Sequence, residues 1–236
     1  PEAIGAFNPE QFAALPPNVI GGFQADQFDA LPPEAFGGFQ QGHIKELPKE
    51  FFAEFSPNEL KELPADAMGG FNSQTFGALP PEAMGVFKPD QFAELAPNVV
   101  RGLQPDQFEA LPSDAFGGFQ PGHIKKLPKD FFAEFEPKAF QELPPEAMAG
   151  FKPKTFESLP TEVIGGISAA QVENLKPNMF VGIQPSVFEV IPPEAFQGFQ
   201  SGQLKKLPND LFADMDPSAF DEINPDAFAG FKPKKF

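Results

Sequence analysis

The sequence predicts an all-α solenoid, an array of very short helices stacked along one axis. Two observations predict it: apolar residues recur with a period of eight through the whole chain, and all 30 prolines fall at one joint of the eight-residue unit. Regular internal repeats of this kind are typical of solenoids, in which each unit is stabilised by its neighbours. We therefore expect the stability of the fold to belong to the array.

The repeating unit is an octad, numbered so that Asn8 occupies position 1 and Leu15 position 8. Positions 5 and 8 are apolar wherever they occur, and the prolines stand at positions 1 or 2. Apolar spacings of three and four place side chains on one side of a helix and do not fit the alternation of a strand. Proline suits the first helical residue, where its missing N–H costs nothing. We predict one short helix per octad.

The octads alternate between two kinds. Glycine octads, such as 16–23 (PPNVIGGF) and 32–39 (PPEAFGGF), carry a small or apolar residue at position 4 and mostly glycine at position 7. Capped octads, such as 8–15 (NPEQFAAL), carry a polar residue at position 1 and often glutamine at position 4. The sequence period is thus two octads. We expect one coil of the solenoid to hold two octads, giving about 15 coils in one array.

A slower repeat, ten octads long, lies on top of the octads. Residues 32–71 and 112–151 are identical at 27 of 40 positions, and the sequence from 192 onward resembles both. We predict a single solenoid over residues 1–236, with repeated 80-residue blocks at approximately 32–111 and 112–191 and a partial block at 192–236. Ten is an even number of octads. The two kinds therefore stay in phase, as required if they occupy different sides of the coil.

Composition narrows the possible partners and sites. The formal net charge of −16 repels phosphate backbones and anionic lipids, so we expect no nucleic acid partner. No stretch approaches eighteen consecutive apolar residues, so we expect no membrane insertion. Cysteine is absent, which excludes disulfides and thiolate metal ligands within this chain. All 31 aromatic residues are phenylalanine, a core that needs no polar partner for a ring hydroxyl or indole N–H.

Two histidines are the first candidates for chemistry. His43 and His123 lie ten octads apart at equivalent positions, and the third block has Gln203 there. A catalytic or metal-binding histidine would not be interchangeable with glutamine inside one chain. We therefore expect a polar-edge role, with little loss of stability when His123 is replaced.

Other polar and glycine positions leave alternatives open. Carboxylates recur singly at position 3, where they favour helix capping over a calcium site, which needs six to eight converging oxygens. The glutamines at position 4 form either a hydrogen-bonded ladder along the axis or a solvated edge. Glycine pairs such as Gly37-Gly38 either end helices or admit a neighbouring backbone, and the first reading is favoured. The carboxylates include Glu10, Glu34, Asp106 and Asp130, and the glutamines are Gln11, Gln27, Gln91, Gln107, Gln171 and Gln203. We predict no catalytic, cofactor-binding or metal-binding residue and no cofactor.

Octads such as 8–15 (NPEQFAAL), 88–95 (KPDQFAEL) and 104–111 (QPDQFEAL) resemble the tandem xPEQxxAL octapeptides of large bacterial secreted or surface proteins. The resemblance covers the whole chain. It implies a structural segment outside the cell or at the cell surface, and it brings no catalytic residues.

The sequence thus favours a structural protein and not an enzyme: an extracellular spacer, stalk or filament-forming segment. The alternative is an extended, adhesin-like scaffold that binds a protein or glycan partner. Residues 1–7 and 232–236 keep the ordinary octad pattern and leave Phe7, Phe231 and Phe236 near uncovered ends, whereas solenoids normally finish in polar capping repeats. We therefore expect a slice of a longer array that associates end to end with other copies.

Overall fold

Short helices make up the fold. The computed structural model describes residues 4–181, 183–208, 211 and 217–231, and within these ranges every helix has three to six residues and lies inside one octad. The same ranges contain no strand. The predicted all-α solenoid of very short helices is confirmed.

Local chemistry explains where each helix begins and ends. At Asn8 the backbone is extended (φ −95°, ψ 166°), Pro9 is the first helical residue, and the Asn8 side chain accepts a hydrogen bond from the Gln11 N–H. The helix Gln41–Glu46 ends at Leu47, which returns to an extended conformation (φ −70°, ψ 132°) just before Pro48. Because a residue that precedes proline avoids the helical region, the prolines at most joints keep a helix from continuing into the next octad.

The two kinds of octad form different helices. Every described helix of a capped octad is α-helical, whereas most helices of glycine octads are 3₁₀ helices, whose turn is tighter. The α-helical exceptions among the glycine octads are Pro17–Ile20, Lys49–Phe52, Pro81–Met84 and Thr161–Ile164. The 3₁₀ helices are Ile4–Ala6, Pro33–Gly38, Ala65–Gly70, Val99–Gly102, Ser113–Gly118, Lys129–Glu134, Pro145–Gly150, Pro177–Phe180, Pro193–Gly198 and Pro225–Gly230.

The chain divides into two units, Pro1–Gly118 and Phe119–Phe236. In the first unit, helices three octads apart pack against each other and form three stacks. The first stack contains Pro9–Ala13, Pro33–Gly38, Pro57–Glu62, Pro81–Met84 and Pro105–Ala110. The second contains Pro17–Ile20, Gln41–Glu46, Ala65–Gly70, Pro89–Ala93 and Ser113–Gly118. The third contains Lys49–Phe52, Ser73–Phe76 and Val99–Gly102, and the Phe28 ring of Ala25–Asp29 lies against Phe51 at its start.

The second unit has the same organisation. One stack contains Pro121–Lys126, Pro145–Gly150, Ala169–Asn174, Pro193–Gly198 and Pro217–Glu222. Another contains Lys129–Glu134, Pro153–Phe156, Pro177–Phe180, Ser201–Leu204 and Pro225–Gly230. Pro137–Gln141 packs on Thr161–Ile164. The helix Pro185–Phe188 lies three octads further along the sequence. The predicted 80-residue blocks and the single solenoid over 1–236 remain predictions.

A coil of this solenoid holds three octads, and the prediction of two octads per coil is wrong. Packed helices such as Pro9–Ala13 and Pro33–Gly38 begin three octads apart, not two. The expected number of about 15 coils is wrong for the same reason. The two-octad period of the sequence reports how the two kinds of octad alternate along the chain, which does not determine how many octads close one coil.

The odd number of octads per coil makes unlike octads meet. In every stack of both units, each capped octad packs on glycine octads and each glycine octad packs on capped octads. The two kinds therefore alternate along each stack. The expectation that they occupy different sides of the coil is therefore also wrong. Each kind has the other as its neighbour in the coil before and in the coil after.

Most position-7 glycines admit the backbone of the preceding coil. A Cβ atom at Gly38 would overlap the carbonyl of Pro9, and one at Gly118 would overlap the carbonyl of Pro89. No glycine of the described residues has the positive φ that a left-handed helix end requires. Close approach, and not helix termination, is thus the role of these glycines, contrary to the favoured reading.

Phenylalanine fills the core, as predicted. Position-5 side chains such as Phe12, Phe92 and Phe140 are fully buried. Rings from successive coils touch: Phe12 lies 4.4 Å from Phe39, which in turn stacks 5.0 Å from Phe36. Such aromatic contacts add to the stability that comes from burying apolar area, and they form both within an octad and between coils.

Candidate functional site

His43 is buried between two coils. Its side chain has no exposed surface, the Nδ1 atom accepts a hydrogen bond from the Gln40 N–H at 3.1 Å, and Nε2 lies 2.9 Å from the carbonyl oxygen of Leu15. A backbone N–H donates and a carbonyl accepts, so these partners assign the neutral imidazole with its hydrogen on Nε2. Both ring nitrogens are engaged by backbone, and neither is offered to a substrate or metal ion.

His123 makes the same contact within its own octad in the second unit. It too is fully buried, and its Nδ1 accepts from the Gln120 N–H at 3.0 Å. The expected polar-edge position of both histidines is therefore wrong, because these side chains lie inside the array. The expectation that replacing His123 costs little stability loses its basis, since removing a partner from buried polar groups is unfavourable.

Glutamines at the same position make the same connection. Gln91 Oε1 accepts from the Lys88 N–H at 3.0 Å, while Nε2 donates to the carbonyls of Leu60 (3.0 Å) and Leu63 (2.8 Å) in the preceding coil. Gln107, Gln171 and Gln203 repeat the pattern with carbonyls 28 and 31 residues earlier. We call this contact the inter-coil bridge: a position-4 side chain that accepts from its own octad and donates to the coil before.

The inter-coil bridge decides between the two readings of the glutamines. Gln91, Gln107, Gln171 and Gln203 are each at most 2% exposed, so they do not form a solvated edge. They connect the coils along the axis as a ladder would, but their partners are backbone carbonyls and not other glutamines. Histidine can replace glutamine because each offers one acceptor and one donor at a similar reach.

The position-3 carboxylates lie at helix starts on the surface. Asp90 and Asp106 each accept a hydrogen bond from the next residue's N–H at 2.9 Å, and Glu10, Glu34 and Asp130 are likewise exposed. Among the described residues, no cluster of three or more carboxylates or histidines is placed to hold a metal ion. In this arrangement the carboxylates complement the free N–H groups of the first helical turn.

Neither the family models nor the curated proteins contain a match to this chain. The resemblance to tandem octapeptide arrays therefore stays a prediction that rests on the motifs alone. Within the described ranges, no helix has both the length and the apolar character needed to cross a bilayer.

One concavity of the second unit carries positive charge. A cavity of about 260 Å³ is lined by Lys125, Lys129 and Lys152 around an apolar floor that includes Ile124 and Phe132. Three lysine residues line this one cavity, in contrast with the net charge of −16 of the whole chain. Such a site favours an anionic group, since the surrounding positive charge raises its local concentration.

Sequence reasoning did not identify the inter-coil bridge, although a signal was present. Position 4 immediately precedes the buried position 5, and in the glycine octads position 4 is itself small or apolar, as expected beside a buried face. The exchange of His43 for Gln203 in equivalent octads indicated a shared hydrogen-bonding role. Polar character was read as exposure, whereas the burial of these groups is compensated by complete hydrogen bonding.

Proposed function

We propose that this chain is a non-catalytic structural segment, an extracellular spacer, stalk or filament-forming array. The observation that carries the proposal is the inter-coil bridge. His43, Gln91, Gln107, Gln171 and Gln203 could have supplied chemistry, but each of these side chains instead hydrogen-bonds to a backbone carbonyl of the coil before. Repeated, equivalent connections between coils are what a segment needs if its length is to follow from its number of repeats.

The test is a chain in which the block 32–111 is present twice. A spacer made of three-octad coils gains slightly more than three coils, which at helix-packing distances of about 8 to 10 Å adds about 25 to 35 Å to its longest dimension. Small-angle scattering of the original and extended chains measures this gain. A radius that grows only as in a compact globule would contradict the proposed spacer.

The alternative is an extended scaffold that binds a protein or glycan partner, and the lysine-lined cavity favours it. Lys125, Lys129 and Lys152 would pair with carboxylate or sulfate groups of such a partner. Binding of acidic and neutral glycans to the chain and to a Lys129→Glu variant, measured by calorimetry, tests this. Saturable binding of an acidic glycan that the variant abolishes would support the scaffold over the spacer.

A further inference from the structure

At Thr155, inside the second unit, the inter-coil bridge lacks the half that reaches the coil before. Thr155 occupies position 4 of its octad, as the bridging glutamines do. Its hydroxyl accepts a hydrogen bond from the Lys152 N–H at 3.1 Å and donates to the Lys152 carbonyl at 2.9 Å. Both hydrogen bonds stay within one octad, because a threonine side chain is shorter than that of glutamine.

Two carbonyls of the coil before are consequently left without the donor that a bridge supplies. The amide of Gln91 reaches carbonyls 28 and 31 residues earlier, and the residues at those distances from Thr155 are Leu127 and Ile124. Among the described residues, no group donates a hydrogen bond to either carbonyl. Both oxygens are therefore acceptors that a ligand can use.

The lysine-lined cavity lies at this place. Its lining includes Ile124 and Leu127, which carry the two carbonyls, and Thr155, whose short side chain leaves the space open. All its lining residues belong to two consecutive coils of the second unit, 120–143 and 144–167. The cavity thus combines two backbone acceptors, an apolar floor and three lysines.

We propose that this cavity binds one uronic acid residue of an acidic glycan. The inference deepens the alternative function of a binding scaffold, on which it rests. Hydroxyl groups of the sugar donate to the carbonyls of Ile124 and Leu127, and its carboxylate pairs with the lysines. The volume of about 260 Å³ is near the small end of ligand pockets, about 300 Å³, which suits a single ring.

Other ligand classes satisfy only part of the site. A neutral sugar leaves the lysines without a counter-charge, and a carboxylate without hydroxyl groups leaves the two carbonyls without donors. The ring of Phe132 and the side chain of Ile124 lie at the floor and offer an apolar surface to the C–H groups of a sugar ring. A uronic acid is the class that uses all three features.

The first unit contains a natural comparison at Thr75, ten octads earlier. Its hydroxyl makes the same two hydrogen bonds, with the N–H and carbonyl of Asn72 at 3.0 and 3.2 Å. Asn72 stands where the second unit has Lys152. Thr75 is 6% exposed, whereas Thr155 is half-buried. The position in the first unit is therefore less open and has one lysine fewer, so we expect it to bind the sugar more weakly.

The experiment completes the missing bridge. Thr155→Gln supplies the side chain that Gln91 uses, so its amide nitrogen takes both carbonyls and its methylene groups fill the cavity. We expect the dissociation constant of a galacturonic acid trisaccharide, measured by calorimetry, to rise at least roughly tenfold, while the melting temperature rises. Thr75→Gln is the matched control: it adds a bridge in the first unit and leaves the dissociation constant unchanged. Equal effects of the two variants on binding would overturn the proposal.

A second variant and two further ligands test the chemistry of the site. Lys152→Asn introduces the residue that the first unit has and weakens binding of the trisaccharide roughly three- to tenfold. The methyl ester of the trisaccharide, which has no charge, and a triglutamate peptide, which has no sugar hydroxyl, bind the original chain at least roughly tenfold more weakly. Triglutamate that binds as tightly as the trisaccharide would overturn the choice of a sugar.

Two results separate this inference from the functions on which it bears. Trisaccharide binding that persists in Thr155→Gln would overturn the site and leave the binding scaffold standing. A trisaccharide that does not bind the original chain would overturn both the site and its ligand. Neither result changes the gain in length on adding a block, which tests the spacer.

Discussion

At the scale of single residues, the buried His43 and Gln203 connect one coil to the next. His43 and Gln203 occupy equivalent octads, and both are fully or almost fully buried. Each satisfies a backbone N–H of its own octad and a carbonyl of the coil before, so neither leaves a buried polar atom without a partner. Histidine and glutamine are interchangeable at this position because each places an acceptor and a donor at similar reach.

Replacing His43 tests this interpretation. His43→Ala removes the partner of the Gln40 N–H and the Leu15 carbonyl in a buried site, and we expect a loss of about 1 to 3 kcal/mol in the free energy of unfolding. His43→Gln keeps one acceptor and one donor, and it costs less than about 1 kcal/mol. Urea unfolding measures both. Equal losses would mean that the ring stabilises only by packing on Phe12 and Phe39.

The phenylalanine core gives a second prediction at this scale. Phe108 and Phe116 are 4% and 3% exposed, and their rings meet edge to face at 5.5 Å. Replacing either by alanine leaves a cavity and costs about 3 to 5 kcal/mol. Glu109→Ala, at the exposed neighbour of Phe108, is the control and changes stability by less than about 0.5 kcal/mol. Thermal unfolding of the three variants compares them directly.

At the scale of elements, the two glycines of a pair have different tasks. At Gly37 the nearest atoms to an added Cβ are 3.8 Å away, an ordinary contact distance. At Gly38 the same atom would overlap the backbone carbonyl of Pro9, which belongs to a neighbouring helix and cannot rotate away. The second glycine therefore sets how closely a capped helix and a glycine helix approach.

Alanine substitutions at this pair separate the two tasks. Gly38→Ala forces the coils apart and destabilises by about 1 to 3 kcal/mol or more. Gly37→Ala fits the observed conformation and is neutral or stabilising by about 0.4 to 1 kcal/mol, because it restricts the unfolded chain. Circular dichroism melting curves measure the difference. Similar effects at both positions would contradict the close approach of Pro9 to Gly38.

The elements themselves were predictable from the sequence, but their partners were not. Proline at position 2 and apolar residues at positions 5 and 8 determine local conformation, so helix starts such as Pro9 and Pro89 and buried residues such as Phe12 were predicted correctly. The partner of each helix lies three octads away. No local preference of an octad encodes that distance, which depends on the angle through which the chain turns at each joint. Burial of His43 escaped prediction for the related reason that its acceptor belongs to another coil.

At the scale of the whole molecule, the kinds of octad alternate with a period of two, whereas one coil holds three octads. A coil of three octads and a pattern of two kinds place unlike octads in contact throughout both units. Removing a complete coil therefore preserves the register of the stacks but brings like octads together. Removing two octads changes the register but keeps every contact between unlike kinds.

Two internal deletions test whether stability depends on the two-octad alternation or on the three-octad coil. Removing residues 56–71, two octads, should leave a cooperatively folded chain with nearly unchanged stability per residue. Removing residues 56–79, one complete coil, should lower the melting temperature more. Residues larger than glycine then face helix starts that approach closely enough to require glycine. Each such overpacked contact costs about 1 to 3 kcal/mol. Calorimetry of both chains decides. A smaller loss for the longer deletion would refute the requirement for unlike neighbours.

The three-octad coil also has a consequence for how such a gene can lengthen. A duplication of an even number of octads keeps every contact between unlike kinds of octad, whether or not it completes a coil. The 80-residue block is of this kind: it contains ten octads, and so adds three coils and one octad. Pro9 and Pro89, one block apart, accordingly lie in different stacks of the first unit while making the same contact with a glycine. Equivalent residues of successive blocks therefore lie in different stacks of the first unit and do not form a row along one of them.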